Sequence, residues 1–162
     1  MIELVESIAP VQLFLLPEPL GGRTQFLATF QPDVTVIDAL KTAFGAILQE
    51  LKVSPALPER LFTNVIIYDR ERLTFHFDDT KTLGNHVNLV LLPVHRWAAA
   101  NCNYQQVVTC ILEELCHCYW GIVDETAVKH KVVAVARHIN SSITIEDLYP
   151  GMFPPVSTDP KS

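Results

Sequence analysis

The chain has 162 residues, 49% of them apolar and 19% charged, so it is long enough and apolar enough to fold around its own core as one domain. Twelve Lys and Arg against 18 Asp and Glu leave a formal net charge of −6, which excludes a protein that tracks phosphates with a basic field and disfavours an anionic membrane surface as partner. The longest apolar run, residues 87–94, is strand-sized and interrupted by Asn88 and Pro93, too short for a membrane span.

Met1 to Glu6 lack the basic start of a secretory signal. The four cysteines, at 102, 110, 116 and 118, fall in one predicted helix or its entrance, where they read as reduced thiols rather than a disulfide framework. A cytoplasmic setting is therefore expected.

In chain order, Gln12 to Leu16 is a short strand candidate closed by Pro17 and Pro19. Gly21-Gly22 marks a turn, and Thr24 to Phe30 is a second strand candidate. Asp33 or Thr35 caps a helix over residues 36–51, whose apolar positions are Val36, Leu40, Ala43, Phe44, Ile47, Leu48 and Leu51. Ser54 to Pro58 ends it. Residues 63–68 and 72–77 read as a hairpin, the second arm alternating Leu73, Phe75 and Phe77 against Thr74 and His76. A loop follows at 78–85, then a nearly continuous apolar strand at 86–92 and a short helical or loop passage at 97–103.

Residues 104–120 read as a helix with two stripes. Val108, Ile111, Leu112, Leu115 and Tyr119 line the apolar one. Glu113, Glu114 and His117 form a polar stripe on another face. Gly121 is a natural stop. A last helix runs over 124–139 on Val128, Val132, Val135 and Ile139, and a short turn of structure is expected at 143–148. The expected organisation is one domain over 1–148 and a proline-rich tail over 149–162. The fold class is α+β: a small mixed sheet with helices on one face.

Glu113-Glu114-Leu115-Cys116-His117 stands in the register of the zinc-peptidase motif His-Glu-x-x-His, with Glu113 at the first-ligand position. That motif puts two ligands one helical turn apart and a carboxylate beside the first. With the strand before it and the acid-headed helix after it, the region 35–140 resembles the minimal zincin-like, gluzincin-type metallopeptidase core, with a degenerate motif. The resemblance implies an edge strand along a substrate cleft and a third ligand from the next helix. It implies Glu114 as general base, Glu113 and His117 as metal ligands, and Glu125 or Asp124 as the further ligand. Zinc or another divalent metal is the implied cofactor, and two carboxylates with one imidazole favour a harder cation than a dedicated zinc site does. A relic that kept the fold and holds no metal belongs to the same reading.

The same residues have plain structural explanations. Adjacent glutamates are ordinary on a solvated helix face, Glu113 and His117 are a simple i, i+4 pair, and Asp124 and Glu125 suit a helix start. Cys110, seven residues before His117, shares its face and is a candidate neighbour to the site. Cys116 and Cys118 diverge around the helix and cannot join His117 as one cluster. The alternative function is a non-catalytic module that binds a peptide or protein through an edge strand or its acidic surface.

Overall fold

The computed structural model of the chain describes residues 2–4, 8–73, 75–77 and 87–152. The expected loop at 78–85, with His86, and the tail beyond 152 lie outside these residues. The elements in order are β1 (Ile2–Leu4), β2 (Ala9–Pro10), β3 (Thr24–Ala28), α1 (Val34–Val53), a 3-10 turn (Pro58–Arg60), β4 (Thr63–Tyr68), β5 (Phe75–Phe77), β6 (Asn88–Pro93), α2 (Val94–Ala99), α3 (Tyr104–Trp120), α4 (Glu125–Ala136) and α5 (Ile145–Leu148). The class is α+β. Among the described residues no helix is long and apolar enough to cross a membrane.

The main sheet has the order β2-β3-β4-β6, with β2 antiparallel to β3 and the other pairs parallel. β3, α1 and β4 form a strand–helix–strand crossover, because parallel neighbours cannot be joined by a tight turn. Side chains alternate across the sheet. Phe26, Val65 and Val90 lie in register on one face, as do Ala28, Ile67 and Leu92, and all six belong to the main core. Helix residues Leu40, Phe44, Ile47, Ile111, Leu112, Leu115 and Tyr119 meet them there. Leu27 and Ile66 point to the other face and are buried as well.

α3 is the central helix, in contact with α1, α4 and β6. Asn103 and Gln106 form a capping box at its start, each side chain bonding the other residue's backbone N–H at 2.9 Å. Gly121 ends it at φ 62°, ψ 28°. Asp33 caps α1 by accepting from the Val36 N–H at 2.9 Å. At the far end of α1, Glu50 is buried and takes Lys131 Nζ at 2.6 Å and His138 Nε2 at 2.8 Å. Lys131 also donates to Ser54 Oγ at 3.0 Å and lies 4.1 Å from the Trp120 ring centre, while Trp120 Nε1 donates to the Ser54 carbonyl at 3.0 Å. This junction ties α1, α3 and α4 together.

Two sequence expectations are corrected. The pair 63–68 and 72–77 is not a hairpin. β4 has β3 on one side and β6 on the other, and β5 pairs with β1 in a separate two-stranded sheet. Val65, Ile66 and Ile67 are all buried, the mark of a central strand covered on both faces rather than of a hairpin arm. Residues 12–16 form no strand. The ladder of β2 continues only to the Val11 N–H, which donates to the Phe26 carbonyl at 3.0 Å, and Phe14 turns inward to pack tilted against Phe26 and edge-on against Phe44.

Candidate functional site: an acid–histidine cluster between α3 and α4

Helical spacing places Glu113 and His117 one turn apart on α3, and the tight link 121–124 brings the first turn of α4 alongside. One ligand atom each from Glu113, His117 and Glu125 falls within 4.8 Å of the others. His117 Nε2 lies 3.8 Å from Glu125 Oε1. Ligands that share one ion through bonds of about 2.0–2.2 Å sit roughly 3–3.5 Å apart, so the trio needs modest closure to hold one. The side chains of Glu113 and His117 are 24% and 25% exposed and that of Glu125 is 71% exposed, which leaves a route in from solvent.

The imidazole is held by its other nitrogen. His117 Nδ1 lies 2.5 Å from the Ile122 carbonyl oxygen. A carbonyl only accepts, so Nδ1 carries the proton and, in the neutral ring, Nε2 presents its lone pair to the carboxylates. An imidazole oriented in this way by a backbone carbonyl is the usual support of a metal-ligating histidine.

Asp124 stays out of the cluster. Its carboxylate accepts from the Ala127 N–H at 2.6 Å as the cap of α4. Two residues that the sequence reading did not single out join instead. Lys129, one turn after Glu125, puts Nζ 3.4 Å from Glu125 Oε2 and 3.9 Å from Glu113 Oε1. Tyr149, expected at the head of the tail, is buried and donates its hydroxyl to Glu113 Oε2 at 2.8 Å. Burial and that bond hold the phenol well above its ordinary range, so it remains a donor. The i, i+4 spacing of Glu125 and Lys129 was a local signal. Tyr149 lies 36 residues from Glu113 and had none.

Glu113 also borders a cavity of about 150 Å³ whose wall includes Glu114, Cys110, Pro93 and Trp97, at the point where β6 passes into α2. Glu114 is exposed, yet partial desolvation beside the cavity raises its carboxyl above the ordinary value; His117 opposes the rise, and Glu113 and Glu125 add to it. Cys110 faces the same cavity, and burial, with Cys102, Glu113 and Glu114 adding, pushes its thiol up to about 11. It is a neutral thiol at neutral pH and not an activated nucleophile.

Compared with protein-family models, with curated proteins and with solved structures, the chain matches none.

Proposed function

We propose that this chain is a zincin-like domain related to metallopeptidases, with a remodelled divalent-cation site made by Glu113, His117 and Glu125. The observation that carries this reading is the convergence of those three side chains around an imidazole whose Nδ1–H is fixed by the Ile122 carbonyl. The donor set suits a cation that accepts oxygen and one nitrogen ligand. Such an ion would act as a Lewis acid on a bound carbonyl or water. Glu114, at the neighbouring cavity with its carboxyl raised, is then the proton acceptor, since a base works best when its pKa lies nearer the working pH.

Calorimetric titration with Zn²⁺ and with Mn²⁺ tests the reading. One ion per chain is expected, with affinity at least tenfold weaker in His117→Ala. No binding, or binding indifferent to that substitution, overturns it.

The second reading, a module that holds a peptide, is favoured by the position of β6. Among the described residues it has a strand partner on one side only, and it leads directly to the wall of the Glu114 cavity. Hydrolysis assays on an unfolded protein substrate separate the two. Turnover by the native chain that Glu114→Gln abolishes, with ion binding intact, marks an active peptidase. Peptide binding without turnover in any form marks the module or a catalytic relic.

A further inference from the structure

We infer that Lys129 is the resident cation of the acid–histidine cluster and sets how tightly a divalent ion can bind there. The inference rests on the cation-site reading above and concerns the control of that site.

Most surface lysines extend into water. Lys129 does not: its side chain is 11% exposed, and its Nζ lies 3.3 Å from the Glu125 carbonyl oxygen and 5.5 Å from the Tyr149 ring centre. The ring and the first turn of α4 therefore confine the ammonium against both carboxylates, 3.4 Å from Glu125 Oε2 and 3.9 Å from Glu113 Oε1. Tyr149 holds the other oxygen of Glu113 at the same time. The two carboxylates and the one ammonium alone sum to a formal charge of −1.

A divalent ion arriving between Glu113, His117 and Glu125 meets half of the expected carboxylate charge already neutralised. It also meets a positive group a few ångströms away, in a partly buried setting where charges are poorly screened. Binding requires the ammonium to be displaced from under the Tyr149 ring, or the repulsion to be borne. Glu125 alone is exposed enough to swing away with little loss. Lys129 is thus a specificity-determining residue: it satisfies the acids without an ion and disfavours weak or chance occupancy.

The test compares the native chain with Lys129→Met, which keeps the aliphatic stem, with Lys129→Gln, and with Lys129→Arg. Zn²⁺ and Mn²⁺ are titrated into each by calorimetry. Binding at least tenfold tighter is expected in the Met and Gln variants, lost again on adding His117→Ala, while the Arg variant stays near native. Binding to the native chain that depends on His117 but does not tighten in the Met or Gln variant overturns the role of Lys129 and leaves the ion site standing. No binding in the native, Met or Gln forms overturns both. An arm in EDTA requires no ion. There Lys129→Met should melt below native, and adding Glu113→Gln should recover part of the loss by removing one of two facing carboxylates. Absence of that recovery overturns Lys129 as their counter-ion.

Discussion

Gly121 sits at the turn on which the cluster depends. Its φ of 62° is in the left-handed region, where a side chain costs backbone energy, and a Cβ there would meet Leu57 Cδ1 at 3.6 Å and Arg60 Nη2 at 3.9 Å, both ordinary contacts. Gly121→Ala should therefore destabilise the protein by about 1 kcal/mol through the backbone alone. A thermal melt measures the loss, and an unchanged melting temperature contradicts the assignment. At this scale the sequence was most informative where chemistry follows helical spacing. Glu113, Glu114 and His117 were readable as one stripe, and Glu125 as their neighbour across a short link. Asp124 and Glu125 looked equivalent in print, yet only Asp124 has the geometry of a cap. The partners of Glu113 were not readable in the same way. Tyr149 reaches it across a tertiary fold-back, and no local pattern encodes such a contact.

The three long helices were legible because their periodicity is strong and their ends are chemically marked. The α3 boundary at Trp120 and Gly121 agrees with the expected stop, while α4 begins one residue after the expected Asp124 and ends at Ala136, short of the expected 139, leaving Ile139 exposed. The Asn103–Gln106 capping box gives α3 a defined start. Asn103→Ala should cost about 1 kcal/mol. Amide exchange should show the loss as fraying of residues 104–107, with the far end, near His117, protected as before; uniform loss along the helix would contradict a local cap. Strands were harder to read. β-branched Val65-Ile66-Ile67 fits either a hairpin arm or the middle of a parallel sheet, and only the pairing with β3 and β6 decides it. The Phe14 region has the composition of a strand, but its ring is used for packing against Phe26 and Phe44 and not for extending a ladder.

Over the whole molecule, the polar junction at Glu50, where α1, α3 and α4 meet, is as prominent as the acid–histidine cluster. Burial alone would raise the Glu50 carboxyl; hydrogen bonds from Lys131 and His138, with their charges, more than offset that and hold it below its ordinary value. A carboxyl lowered by folding stabilises the native state above its unfolded pKa and loses that contribution as pH falls through the folded value. Native stability should therefore fall as the pH drops below about 4.5, and Glu50→Gln should flatten this acid limb. At pH 7, Glu50→Ala should cost about 3 kcal/mol, because it leaves Lys131 half-buried without its carboxylate. Urea unfolding across pH measures both effects; an acid limb of equal slope in the Gln variant would contradict the assignment. The same junction has an optical consequence. The chain has two tryptophans, and each lies beside a different group of charged side chains. Trp120 lies under the Lys131 ammonium, where its fluorescence is coloured by the charge above it; Trp97 lines the cavity beside Glu113 and Glu114. The protein thus carries two native light-emitting gauges, one for the docking of its helices and one for whatever enters beside the acids.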